Sequence, residues 1–401
     1  MKKILLIVLT ISLLLTFTNF SVVNAKEEVF DIVKVNNIIK ETNVSDLKAK
    51  AGIILDSKTG TVLLDDNINK KLPIASLTKL MSMYLILEAI QNKEVSYDTI
   101  VTASEYACSF GGSQVYLELG EEFTLKEMLY AIDLHSANDA TVAVAELIAG
   151  SENAFVQKMN EKAKELGMKN TKYVDCTGLT DKDHYSTVYD LAILSNALVL
   201  SYPEIFQFST TTYEPFRPGE HQIDLYNRNK LIQFYDNADG LKTGFTTTAG
   251  YCLSATAKKN DNRLIVVVLG EPDTNTRFAE VSKLLDYGFF NFGEITLAEK
   301  DKIAGEIPVV KGIDTKVECY VEKDSTFLIK KDDKDNIKRV VKIKEELEAP
   351  VQKNSVVGTV TYMLNGKQLG SVDILTSISV EKAGFFELLW RTILSWFGIT
   401  K

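Results

Sequence analysis

The stretch "PIASLTKLMSMYLILEAI", Pro73 to Ile90, decides how the rest of the chain is read. Leu77, Leu80, Met81, Tyr84, Leu85 and Glu88 recur at helical spacing, which predicts a helix from about Ile74 with one broad apolar face. Ser76 and Lys79 stand at its head, in the pattern S-x-x-K. Three residues apart on a helix, the two side chains share a face. The serine also lies where helix N–H groups point outward and stabilise negative charge. The same spacing occurs at Ser45–Lys48 and Ser379–Lys382. The first lies in a polar leader and the second before a terminal helix, so neither has a buried helix to hold it.

S-x-x-K is one of three short signals, followed by S-x-N and K-T-G, that mark penicillin-reactive serine enzymes. S-x-N occurs at Ser136–Asn138 and at Ser151–Asn153. The first falls in "HSAN", a break between the apolar helices "TLKEMLYAIDL" and "DATVAVAELIAG", from which side chains project into a cleft. Ser151 has the simpler role of capping the helix "SENAFVQKMNEKAKELG", which Gly167 stops. K-T-G also occurs twice. Lys58-Thr59-Gly60 connects the strand-like runs "AGIILD" and "TVLLDDN", and a glycine late in that loop closes a hairpin. Lys242-Thr243-Gly244 opens the strand-like run "FTTTAGYCLSATA", where glycine lets another backbone or a ligand come close.

Around these motifs the chain divides. Lys2 and Lys3, the apolar run "ILLIVLTISLLLTF", and Val23 and Ala25 at small-residue positions read as a secretory signal over 1–25 cleaved after Ala25, with an uncleaved anchor as the competing reading. Residues 26–48 read as a polar leader. Residues 49–292 run strand hairpin, helices, strands, helix. The helix "STVYDLAILSNALVL" is capped near Thr187, and the last helix is "RFAEVSKLLDYGFFNF". This order predicts an α/β (α+β layered) domain, an antiparallel sheet carrying helices. From 293 to 380 helical periodicity stops and alternating runs such as "TKVECYVEK", "STFLIKK", "KRVVKIK", "VVGTVTYML" and "GSVDILTS" predict a small all-β domain. In 381–401, Phe385, Phe386, Leu389, Trp390, Ile393, Trp396 and Phe397 crowd one side of a helix, with Glu387, Arg391 and Ser395 on the other. Too short and interrupted to span a bilayer, it fits a membrane-surface helix over residues 384–398. Docking on its own protein is the alternative.

The 401 residues are 45% hydrophobic and 25% charged with a net charge of −9, and no basic face points to nucleic acid. Cys108, Cys176, Cys252 and Cys319 are widely spaced; an exported protein could pair them in three ways, but in a chain this long they read as buried free thiols. With three histidines and no H-E-x-x-H, no metal site or cofactor is expected.

"PIASLTKLMS", "LHSANDA" and "DGLKTGFT", in that order, resemble the serine-type D-alanyl-D-alanine carboxypeptidases, the low-molecular-mass penicillin-binding proteins of peptidase family S11. The resemblance covers nearly the whole chain. It implies a β-lactamase/transpeptidase-like fold for the first domain and a DD-carboxypeptidase acting on the D-Ala-D-Ala end of peptidoglycan stem peptides. It also implies covalent inhibition by β-lactams. Cross-link cleavage or transpeptidation on the same fold, and a catalytically silent peptidoglycan-binding module, are the alternatives.

The resemblance assigns Ser76 as nucleophile, Lys79 as its base and Ser136 as proton relay. Asn138 would hold the substrate amide, and Lys242, Thr243 and Gly244 the wall that engages its carboxylate. The N–H groups of Ser76 and Phe245 would form the oxyanion hole. A serine needs such a base, and a lysine serves only if burial and a second cation lower its pKa. Arg228 and Arg277 match family positions that help neutralise the substrate carboxylate. Phe245 stands where some relatives carry histidine. E-x-x-L-N, which supplies the deacylating glutamate of class A β-lactamases, is absent between Asn138 and Lys242. Slow release of penicillin is therefore expected.

Overall fold

The computed structural model describes residues 30–179 and 183–396. The predicted signal segment 1–25, the first residues of the leader and the end of the terminal helix, 397–401, lie outside the described residues. The strands β1 (Ala51–Asp56), β2 (Val62–Asp66), β3 (Ala238–Thr246), β4 (Gly250–Lys259) and β5 (Asn262–Glu271) form one sheet in the order β2-β1-β5-β4-β3. Every neighbouring pair is antiparallel. All six residues of β1 are buried, which explains why "AGIILD" has no polar alternation: both faces of the sheet are covered.

One face carries the larger core. Ile53, Leu55, Ile265 and Val267 meet the helices α2 (Lys79–Gln91), α3 (Asn138–Ala149) and α5 (Val188–Ser201), with Phe155 and Met159 of α4 (Glu152–Glu165) behind them. On the other face Ile54, Val266 and Val268 meet Phe278, Val281 and Leu285 of α6 (Thr274–Asn291). The caps follow the sequence: the Ser151 and Thr187 hydroxyls accept the N–H groups of Ala154 and Asp190.

The segment read as a polar leader instead holds a helix, α1 (Ile32–Glu41), capped by Asp31 and packed beside α6. Val35 is fully buried there, with Ile38 and Ile39 against the same core. Five of its ten residues are apolar, but Ile32 and Val33 face solvent, and it is Val35, Ile38 and Ile39 that meet the surface of α6.

After α6 come β6 (Phe292–Ala298), β7 (Ile303–Val310), β8 (Lys316–Val321), β9 (Ser325–Lys330), β10 (Ile337–Ile343), β11 (Leu347–Glu348), β12 (Val356–Leu364) and β13 (Lys367–Thr376). They form a β6–β9 pair and a six-stranded sheet, β10-β12-β13-β8-β7-β11, around Ile307, Val317, Cys319, Val360 and Ile374. The sequence reading missed β6 and β7 because Gly293, Gly305 and Pro308 interrupt them. The chain then forms α7 (Phe385–Trp396). All four cysteines are free thiols, three of them buried.

Candidate active site

The first motif enters the cleft through a strained turn. Ala75 has φ of 47°, left-handed for a residue with a side chain, and opens the 3₁₀ turn Ala75–Thr78 that feeds α2. Such strain costs about 1–2 kcal/mol and persists where surrounding structure enforces it. Ser76 is half-buried and Lys79 fully buried. Lys79 Nζ lies 3.3 Å from Ser76 Oγ, 2.7 Å from Asn138 Oδ1 and 2.9 Å from the carbonyl of Thr177. Burial, and then the neighbouring Lys242 charge, bring its pKa down to about 7.

The second motif is delivered by a turn the sequence does not show. After the helical turn Leu125–Tyr130 the chain widens into a π-helical turn, Ala131–His135, of the kind that often marks functional sites. Ser136 follows in the left-handed region (φ 65°, ψ 33°). Its hydroxyl is buried and has no hydrogen-bond partner among the described residues. Asn138 opens α3. Its N–H donates to Ser113 O at 2.7 Å and its Nδ2 to Gly111 O at 2.7 Å, so Oδ1 is aimed at Lys79.

The third motif lies on β3, the edge strand beside the serine turn. A Cβ at Gly244 would stand 3.0 Å from Ile74 O and 3.2 Å from the nitrogens of Ser76 and Leu77, so any other residue would force strand and turn a few tenths of an ångström apart. Lys242 is buried and donates to the carbonyl of Asp133 at 3.0 Å, tying the edge strand to the π turn. Burial lowers its pKa, against the pull of the Asp133 carboxylate. Thr243 is buried. Phe245 is 40% exposed, with its ring centroid 4.3 Å from that of Tyr251.

The two arginines differ. Arg228 is half-buried, its N–H donates to Leu134 O of the π turn at 3.3 Å, and its charge lowers the pKa of both Lys79 and Lys242. Arg277 is buried, and its Nη1 faces the carbonyls of Gly244 (3.5 Å) and Cys252 (3.4 Å), so it braces the back of β3 and β4.

Some contributors carry no motif. The carbonyl that holds Lys79 belongs to Thr177, in a turn whose N–H groups the Asp175 carboxylate gathers. Gly111 and Ser113 fix Asn138 through their carbonyls. The Asp139 carboxylate accepts the N–H groups of Val115 and Leu117, stiffening that same loop. These residues act through main-chain atoms, so only an Asp-x-Thr-Gly turn pattern hints at them. Among the described residues no cluster of His, Cys, Asp and Glu is arranged to hold a metal.

Comparison with known proteins agrees with this geometry. Residues 38–273 match the family described as D-alanyl-D-alanine carboxypeptidase (Peptidase S11), and residues 292–382 match the penicillin-binding protein 5 C-terminal domain. The chain is 41% identical to the D-alanyl-D-alanine carboxypeptidase DacF of Bacillus subtilis, over 89% of this chain and 92% of that protein. It is 34% identical to DacC of Escherichia coli, over 87% and 90%. Penicillin binding protein 5 from Haemophilus influenzae has the same fold, with TM-score 0.70 and 31% identity over 84% of this chain and 98% of that one. The chain therefore belongs to the D-alanyl-D-alanine carboxypeptidase family and is an enzyme of that class.

Proposed function

We propose that Ser76 is the nucleophile of a DD-carboxypeptidase that removes the terminal D-alanine of peptidoglycan stem pentapeptides. The observation that carries this is the set of partners around Lys79 Nζ. A neutral amine has two N–H bonds and one lone pair. Asn138 Oδ1 at 2.7 Å and Thr177 O at 2.9 Å take both N–H bonds. The lone pair then faces Ser76 Oγ at 3.3 Å. With a pKa near 7, a large fraction of Lys79 is neutral at physiological pH, which is what a general base requires.

Lys79 takes the Ser76 proton as Oγ attacks the carbonyl of the penultimate D-alanine. The N–H groups of Ser76 and Phe245 receive the developing oxyanion, each worth about 3 kcal/mol. As the C–N bond breaks, Ser136, whose hydroxyl is otherwise unengaged, passes a proton from Lys79 to the departing nitrogen. Free D-alanine leaves and an ester to Ser76 remains. Water, deprotonated by Lys79, releases the shortened peptide. Asn138 holds the peptide amide. Lys242 and Thr243, supported by Arg228, bind the terminal carboxylate, and Arg277 supports them from behind the strand. Penicillins acylate Ser76 by the same attack and leave slowly.

The enzyme works outside the cell, peripherally attached to the outer face of the cytoplasmic membrane. Its signal segment is read from sequence. Its anchor is supported by α7: Phe385, Phe386, Trp390 and Trp396 are 60–83% exposed, while Arg391 on the opposite side donates at 2.8 Å to Gly312 O and Ile313 O. The helix thus rests on its own β domain by its polar side and offers its aromatic side to a lipid surface. No helix among the described residues is long and apolar enough to cross a membrane.

Labelling with a fluorescent penicillin and mapping of the adduct test the chemistry. The label is expected on Ser76 and absent in Ser76→Ala; an adduct elsewhere sinks the assignment. A pentapeptide muropeptide should yield tetrapeptide and free D-alanine. Deleting residues from Gly384 onward should release the mature protein from anionic vesicles, and retention would refute the anchor.

A further inference from the structure

Lys242 sits among cations. Arg228 and Arg277 both act against its charge, and its own charge acts against Lys79. Lys242 and Lys79 are buried, as is Arg277. A buried lysine with only cations around it gives up its proton. The anion that acts on Lys242 is Asp133. It is 5% exposed, and its Oδ2 has no hydrogen-bond partner among the described residues. That oxygen is therefore not consumed in holding the turn together. The main chain of the same residue holds Lys242 in place, through the 3.0 Å bond from Nζ to Asp133 O. The π turn Ala131–His135 sets the carbonyl of Asp133 on Lys242 Nζ, with the buried carboxylate of the same residue one side-chain length away.

Nearby acids are otherwise engaged. Asp139 of α3 accepts main-chain N–H groups from Val115, Leu117 and Ala140. Asp224, on the strand that packs beside the π turn, is exposed and pairs with Tyr213 and Gln222. Glu127 closes a capping box with Thr124. His135, on the turn itself, is half-buried. Burial pushes the Asp133 carboxyl up to about 7 and the Lys242 charge acts against that, so Asp133 is ionised over the alkaline range in which Lys242 would lose its proton.

We propose that Asp133 is the internal counter-ion of the K-T-G lysine, a positioning residue that keeps Lys242 cationic while the cleft is empty. The proposal rests on Lys242 being the cation that binds the substrate carboxylate. Held charged, Lys242 is ready for that carboxylate and at the same time depresses the proton affinity of Lys79. Without Asp133, Lys242 loses its proton at lower pH, and its weaker charge lets Lys79 keep its proton to higher pH. The window in which the base is neutral and the binding cation charged narrows from both sides.

The test is the pH dependence of the second-order acylation rate by a fluorescent penicillin in the mature, full-length protein. Asp133→Asn should move the alkaline limb down by about one pH unit, so that on that limb acylation falls about tenfold. The acid limb should move up by a smaller step. Arginine stays charged without a counter-ion. In a Lys242→Arg background, Asp133→Asn should therefore leave the alkaline limb where it is. Limbs that stay in place in Asp133→Asn, whether or not the maximum falls, overturn the proposal, as does an equal shift in both backgrounds. Asp133→Ser removes the same charge with a smaller side chain and serves if Asp133→Asn does not fold. Normal acylation by Lys242→Ala would instead refute the carboxylate-binding role of Lys242.

Discussion

Lys58-Thr59-Gly60 and Lys242-Thr243-Gly244 are the same three residues in opposite physical settings. The first closes the β1–β2 hairpin. Gly60 adopts φ of 69° and a Cβ there would meet nothing within 4 Å, so it is glycine for its backbone freedom. Gly244 lies in an ordinary strand and is glycine because a Cβ would collide with the serine turn. Thr59 donates to the Asp56 carboxylate at 2.6 Å and so belongs to the turn, whereas Thr243 is buried in the edge strand beside the cleft. The lysines move in opposite directions. Lys58 is exposed and bonded to Glu294 at 2.6 Å, which raises its pKa, whereas burial lowers that of Lys242. A short motif thus has no chemistry of its own. Burial and the neighbouring element supply it.

The comparison breaks most visibly at the lysines. Lys242→Ala removes a buried cation that the proposed mechanism pairs with the substrate carboxylate. Losing one partner of such a pair costs 2–5 kcal/mol, so penicillin acylation and kcat/KM should fall about a thousandfold. The assay should show no change for Lys58→Ala. Gly244→Ala is next. The added methyl, 3.0–3.2 Å from Ile74 O and the nitrogens of Ser76 and Leu77, forces β3 a few tenths of an ångström from the serine turn. The Phe245 N–H then leaves the oxyanion position, and acylation should fall about a hundredfold. A rate within threefold of wild type would mean the strand's closeness is not used.

Acidification acts on the same cleft. As the proposed base, Lys79 must be neutral to accept the Ser76 proton, and burial brings its pKa down to about 7. Below that value the reactive fraction drops about tenfold per unit, so acylation at pH 5 should be roughly a hundredfold slower than on the plateau. A flat profile between pH 5 and 8 would exclude Lys79 as the base.

Much of this arrangement was legible because side-chain type and period carried it. The apolar run from Leu77 to Leu85 marked α2, which the structure buries on all sides rather than along one stripe, with Ser76 in the 3₁₀ turn before it. The caps Ser151 and Thr187 marked helix starts, and the order of S-x-x-K, S-x-N and K-T-G picked out the copies that the fold brings together. What was not legible runs through the main chain or through tertiary contact. The π turn that twists Ser136 into the left-handed region has the sequence of an ordinary helix end. The Thr177 carbonyl has no signature, since every residue carries one. Asp133 reads as a polar residue in a helix until the fold buries it near Lys242. Helix α1 depends on the surface of α6, and Pro308 and the glycines of β6 and β7 concealed strands whose neighbours hold them.

The smallest effect belongs to the hairpin copy. Gly60→Ala meets no obstruction, and its cost is the left-handed backbone that alanine disfavours, about 1 kcal/mol. In a domain the size of residues 49–292 that lowers Tm by roughly 2 °C. The rate of penicillin acylation should not change, because β2 is the sheet edge opposite β3, and the turn's contacts run to Glu294 of the β domain rather than to the cleft. A Tm drop with an unchanged rate sets Gly60 apart from Gly244, for which the rate should fall. A loss of acylation in Gly60→Ala at full folding would mean that the hairpin communicates with Ser76, and the two triplets would then no longer be separable into one that folds and one that reacts.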